Sequence, residues 1–212
     1  MSYLSKQEKK RITKYYSRLM TLFVMGLVLF GFIYQARAAI VIGNPKGKVT
    51  LQFIYDYQCP HCHQLYLTIQ SILNREKDLN VKCYPVAVIN QNSLIEATAA
   101  IAATQYPNKF QILTNTLMIH RPLSSKAIMK VLALMGLNTT NFLKSMHSQW
   151  VKSQLLEGLT ILHHYHVKEV PLLVLYSNTT QKINSKNKPV IFIGEISEKR
   201  LALAIHQIKK SR

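Results

Sequence analysis

Cysteine is scarce in this chain, with three residues in 212. Small exported scaffolds stapled by disulfides need several pairs, so three cysteines exclude that architecture. Acidic residues are scarce as well, nine against 27 lysines and arginines, for a formal charge of +18. Seven of the basic residues and one acid fall in positions 1–38, which leaves +12 on the rest. That excess is scattered as single lysines, with no dense basic tract to follow a phosphate backbone. It reads as a solvated cationic surface and argues against a nucleic-acid partner. Weak attraction to anionic lipid headgroups or acidic unfolded chains stays open. No internal repeat is visible, and 212 residues suit one domain with a sizeable core better than two.

What is present begins with an address. Lys6, Lys9, Lys10, Arg11, Lys14 and Arg18 precede an uncharged apolar run from Leu19 to Tyr34. Ala36-Arg37-Ala38 follows, a small-x-small cleavage pattern. Together these describe a secretory signal peptide over residues 1–38, with retention as an inner-membrane anchor the alternative. In both cases the basic flank stays cytoplasmic and the rest is exported, into an oxidising compartment where disulfides persist.

The chemistry centres on Cys59-Pro60-His61-Cys62. Val49 to Tyr55 (VTLQFIY) is rich in β-branched and aromatic residues and predicts a buried strand. After the motif, Leu65, Ile69, Ile72 and Leu73 recur at helical spacing, and Pro60 suits a first helical turn. Cys59 therefore sits at a helix N-terminus, where orphan N–H groups and the helix dipole stabilise an anion. That anion is the nucleophilic thiolate. Cys62 lies one turn on, within reach of a disulfide, and His61 supplies a donor or positive charge beside the thiolate. A lone C-x-x-C could be half of a zinc site, but at a strand-to-helix junction it points to redox chemistry.

The run Phe53 to Gln64 (FIYDYQCPHCHQ) resembles the active-site stretch of the DsbA family of periplasmic thiol–disulfide oxidoreductases, which shares the Pro-His dipeptide. The remaining pattern agrees in order. Leu79 to Val88 predicts a second strand, in a βαβ unit with the first, and Pro85 marks an edge or bulge in it. Residues 91–165 read as helices: an alanine-rich one ended by Pro107, one capped within Leu123-Ser124-Ser125 and closed by Gly136, one started by the Asn138–Thr140 stretch, and one over 149–165. Strand character returns at Leu172–Tyr176 and Pro189–Ile193, an antiparallel hairpin, before a final helix capped by Ser197. This order predicts an α/β chain with a thioredoxin fold and an inserted all-helical domain. Residues 39–90 and 166–212 form the two parts of the thioredoxin-like domain, and 91–165 the insert.

The resemblance implies the rest of the site. Val167-Lys168-Glu169-Val170-Pro171 occupies the place of the family's cis-proline loop, where the Val170 backbone is left to pair with an extended substrate beside Cys59. Val before that proline resembles the DsbA branch more than the isomerase branches. The implied catalytic set is Cys59, Cys62, His61, Pro60, Pro171 and Val170. One departure stands out: six residues before the first cysteine the family commonly carries a buried glutamate that assists proton transfer, and here the position holds Phe53. No acid nearby is expected to replace it, because Asp56 falls on the loop.

The expected function is an exported oxidase that passes the Cys59–Cys62 disulfide to reduced or unfolded exported proteins. By resemblance a quinone-linked membrane oxidase of the DsbB type would regenerate it. No cofactor is needed. A reductase or isomerase using the same site, and a zinc-binding interaction module built from Cys59, Cys62 and histidines, are the rivals. Cys83, inside the predicted second strand, reads as a buried structural thiol, with an intermolecular disulfide as its alternative.

Overall fold

The computed structural model describes residues 15–21, 25, 40–120, 123–178 and 188–210. Two compact units divide the chain, 1–38 and 39–212. In the first, the described residues 15–21 and 25 are helical and exposed. The basic flank before Tyr15, most of the apolar run and the Ala36–Ala38 pattern lie outside the described residues. Among those described, no helix is long and apolar enough to cross a membrane.

The second unit is built on a five-stranded sheet of order β1-β3-β2-β4-β5. Its strands are β1 (Ile40–Gly43), β2 (Val49–Tyr55), β3 (Leu79–Pro85), β4 (Leu172–Ser177) and β5 (Val190–Ile193). Its helices are α1 (Pro60–Arg75), α2 (Gln91–Ala103), α3 (Lys109–Ile119), α4 (Ser125–Leu134), α5 (Thr140–Met146), α6 (Gln149–His164) and α7 (Glu198–Lys210). The expected βαβ unit is β2-α1-β3, with its strands parallel and Phe53 level with Cys83. β4 runs antiparallel to β2, and β5 to β4. The five helices α2–α6 all fall between β3 and β4, so the chain has the thioredoxin fold with a helical insertion.

β2 is central and buried on both faces, which is why it reads as an almost unbroken apolar run. Leu51, Phe53 and Tyr55 join one core with α1, the insert and α7. Ile54 points the other way, into a smaller cluster with Tyr84, Val86, Leu172 and Val174 under Leu162 of α6. Period-2 alternation thus divides one strand between two hydrophobic layers. Two elements escape the sequence pattern. One is β1, only four residues long, in which Ile40–Gly43 pairs antiparallel with β3. α3 was missed because it follows Pro107 directly and starts from Asn108, which adopts a left-handed φ of 61° and gives no side-chain cap. Pro85 needs no bulge: it is the last residue of β3, beyond the four residues that β1 covers.

Candidate active site

β2 delivers the chain to a tight turn, Asp56-Tyr57-Gln58, and α1 begins immediately after it. Cys59 is the N-cap of α1, with extended φ and ψ of −90° and 114° and no side-chain cap hydrogen bond. Pro60 fills the first turn, where a missing N–H costs nothing. No acidic side chain competes for the first-turn N–H groups, so they remain for a sulfur anion. The Cys59 thiol is accordingly lowered to about 6. The largest cause is a hydrogen bond from the Cys62 thiol, followed, against burial, by the backbone N–H groups of Cys62 and His61 and the charge of His61.

Cys62 behaves in the opposite way. It is wholly buried, and burial first, then its hydrogen bond to Cys59, push its thiol far above the ordinary range. The backbone of Asp56 hydrogen-bonds its sulfur, and the Asp56 charge disfavours its thiolate. Both cysteines are free thiols here. Although it starts the helix, Cys59 is buried and retains only 4% of its surface. Neighbouring loops close over it.

One of those loops is the segment before β4. The Val170–Pro171 peptide bond is cis, as the resemblance implies. The Val170 carbonyl accepts a hydrogen bond from Cys59 Sγ at 3.6 Å. The next carbonyl, of Pro171, accepts from Gly194 N at 2.9 Å, which draws in the turn after β5. From that turn Glu195 pairs with the exposed His61 ring and holds its pKa above the usual imidazole value. A cleft of about 470 Å³ opens beside this pair, between Gln64, Leu65 and Thr68 of α1 and the residues 195–198.

Beneath the motif lies a polar layer that the sequence does not announce. Asp56 is on the loop, as expected, but turned inward and fully buried. Its Oδ1 accepts from Gln58 N at 2.9 Å, and its Oδ2 from Val88 N at 2.9 Å and Ile89 N at 3.1 Å. Gln58 sends its Nε2 to Glu96 Oε2 at 2.8 Å and to the Leu123 carbonyl at 3.2 Å. The expectation that no acid stands near the cysteines needs correction: the buried Asp56 acts on Cys62, and Gln58 links this layer to a second buried carboxyl, Glu96, from the insert. The available sign of Glu96 was that it is the lone charge in α2, among alanines. Phe53 itself is core, stacked on Tyr55 with ring centroids 4.5 Å apart. Cys83 is buried opposite it, and burial raises its thiol to about 12. Among the described residues, no three His, Cys, Asp or Glu side chains are grouped to hold a metal ion.

Known proteins share this fold. A family model described as thioredoxin matches residues 35–195. No curated protein sequence matches the chain. Among solved structures, a thioredoxin-like oxidoreductase from Silicibacter pomeroyi superposes with a TM-score of 0.71 at 20% identity, over 81% of this chain and 92% of that one. The thiol-disulfide exchange protein alpha-DsbA2 from Wolbachia pipientis gives 0.68 at 16%, over 81% and 88%. The catalytic domain of Proteus mirabilis ScsC gives 0.66 at 19%, over 82% and 90%. These likenesses are of fold, and the family model spans most of the chain, insert included: the chain belongs to the thioredoxin family.

Proposed function

We propose that the chain is an exported thiol–disulfide oxidoreductase that donates its Cys59–Cys62 disulfide to reduced proteins. The observation that carries this reading is the division between the two thiols, Cys59 lowered to about 6 and Cys62 raised. A stabilised Cys59 thiolate is a good leaving group, and it favours the reduced enzyme, which makes the oxidised form a strong oxidant. A substrate thiolate bonds to Cys59 Sγ, the Cys59–Cys62 bond breaks, and its electron pair stays on Cys62, which takes up a proton. A second substrate thiolate then attacks the substrate sulfur of the mixed disulfide and releases the Cys59 thiolate. The substrate loses two electrons and the enzyme gains them.

Each remaining residue has a role in that scheme. Pro60 starts the helix whose N–H groups hold the thiolate, and His61 adds a cation. Pro171 and Val170 present backbone to an extended substrate beside Cys59. Residues 39–90 and 166–212 carry the chemistry, and the insert at 91–165 walls the site from behind. Residues 1–38 direct export. A quinone-linked membrane oxidase of the DsbB type would accept the electrons, and the neighbouring periplasmic thioredoxin-like protein from Salmonella enterica supports a periplasmic setting. The test is equilibration with glutathione. The Cys59–Cys62 pair should be readily reduced by it; a pair that stays oxidised in large excess of reduced glutathione overturns the oxidase reading and favours a reductase.

A further inference from the structure

Asp56 and Glu96 are both fully buried, yet their surroundings treat them differently. Asp56 accepts three backbone N–H groups, from Gln58, Val88 and Ile89, and its charge acts on both Cys62 and Glu96. Glu96 accepts one donor, Gln58 Nε2, and its Oε1 has no hydrogen-bond partner among the described residues. No basic side chain there pairs with it either. A second charge buried beside the first costs far more than one, and Glu96, with one donor and no cation, is the carboxyl that burial drives toward its neutral form.

The same layer touches the buried thiol. The Asp56 backbone hydrogen-bonds the Cys62 sulfur, and Gln58 joins Asp56 to Glu96 while standing next to Cys59 in sequence. We propose that Glu96 is a positioning residue for the exchange reaction, binding a proton from solvent whenever Cys62 carries its thiolate and releasing it when Cys62 is reprotonated. When the Cys59–Cys62 bond breaks, or when Cys62 loses its proton to attack a mixed disulfide, a new anion forms against Asp56. A neutral Glu96 limits the buried cluster to two negative charges, where an ionised one would make three. Burial, then the Asp56 charge, opposed by the Gln58 hydrogen bond, leave its acid pushed up to about 7, so it can change state near neutral pH.

Other titratable groups on the packed elements are occupied or distant in role. Tyr57 bonds Tyr55 and Thr114 through its hydroxyl, and His63 donates to the Tyr57 carbonyl at 2.5 Å. Lys109 of α3 donates to the Met135 carbonyl. Glu157 of α6 accepts from Gln154. Lys126 and Lys130 of α4, Lys144 of α5 and Lys152 of α6 are exposed. Cys83 and Tyr84 of β3 are buried with raised pKa values, so they stay neutral across this range.

The inference rests on the exchange reading, and its test separates the two. Glu96→Gln keeps an acceptor for Gln58 and is neutral at every pH. Release of glutathione from a Cys59–glutathione mixed disulfide by Cys62 should bend with pH near 7 in the native chain. In Glu96→Gln that bend should vanish, with rates matched below it and roughly two- to tenfold faster above it. A purely structural role would move the rate equally at all pH values. A bend retained in a folded, exchange-active Glu96→Gln overturns this inference alone, whereas absence of exchange in the native chain overturns the parent reading. Infrared spectroscopy of the reduced native chain needs no variant. The carbonyl stretch of a protonated acid, shifted by ¹³C-glutamate, should disappear through pH about 7; disappearance in the ordinary glutamate range refutes the proposal.

Discussion

Cys59 Sγ donates to the Val170 carbonyl at 3.6 Å, joining residues 111 positions apart in sequence. This contact brings the start of α1 against the cis-proline loop. It gives the Cys59 sulfur a backbone neighbour just before the start of β4.

The first prediction concerns that sulfur's ionisation. Thiolate absorbance of the reduced protein should rise with a midpoint near 6 for Cys59, while Cys62 and Cys83 stay silent to alkaline pH. A midpoint near the free value of about 8.5 would falsify the thiolate-stabilising site. Stability follows by linkage. The folded pKa is depressed, so the gain is complete above the unfolded value of about 8.5 and is lost as pH falls through about 6. It is on the order of 3 kcal/mol and belongs to the reduced form only. Denaturation of reduced and oxidised protein should therefore diverge over that window and run parallel below it.

The second prediction is an asymmetry of trapping. Both sulfurs are nearly hidden, but Cys59 keeps 4% of its surface and the lowered pKa, and Cys62 has neither. Cys62→Ser should accumulate mixed disulfides through Cys59 on non-reducing gels, and Cys59→Ser should accumulate few. Equal trapping contradicts the assignment of roles.

Much of this site was legible because it is local. A β-branched and aromatic run, a Cys-Pro pair and a helical repeat occupy Val49 to Leu73, and each signal spans one turn or one strand. Val170–Pro171 was reachable only through the family resemblance, since nothing in its own sequence specifies cis. Glu96 and Glu195 were illegible for a different reason. They reach Gln58 and His61 across 38 and 134 residues, through helix packing and a turn that carry no sequence spacing. Asp56 was misread because a loop position says little about which way the side chain faces. Here its oxygens turn inward to satisfy Gln58, Val88 and Ile89 N–H groups that burial would otherwise leave unpaired.

Position 53 gives the third prediction. Phe53 is fully buried, stacked on Tyr55 and level with Cys83. Phe53→Ala should cost about 3–5 kcal/mol and Phe53→Leu less than about 1.5, measured by urea unfolding. Phe53→Glu would bury a carboxyl with no prepared donor, so unfolding, and no acceleration of exchange, is its expected result. A folded Phe53→Glu with faster exchange would restore the idea that this position lacks an acid.

The fourth prediction ranks the influences on Cys59. The Cys62 thiol is the largest cause of the lowered pKa and the His61 charge the smallest. Glu195 acts one step further away, by raising the pKa of His61 and so extending the pH range over which that cation persists. Removing Glu195 lowers the His61 midpoint, a shift that ring-proton NMR reads directly. Cys59 titrates near 6, below the ordinary imidazole value of about 6.5, so His61 stays mostly charged there even without Glu195. The Cys59 midpoint should consequently climb in a fixed order: native chain, Glu195→Gln, His61→Ala, Cys62→Ala. The first step should be small, because the lost cation is partial and the pair is exposed to screening solvent. The last should be the largest, because it removes the thiol that hydrogen-bonds the anion. A midpoint that moves further in His61→Ala than in Cys62→Ala would reverse the ranking and make the dipeptide, and not the buried partner cysteine, the main support of the thiolate.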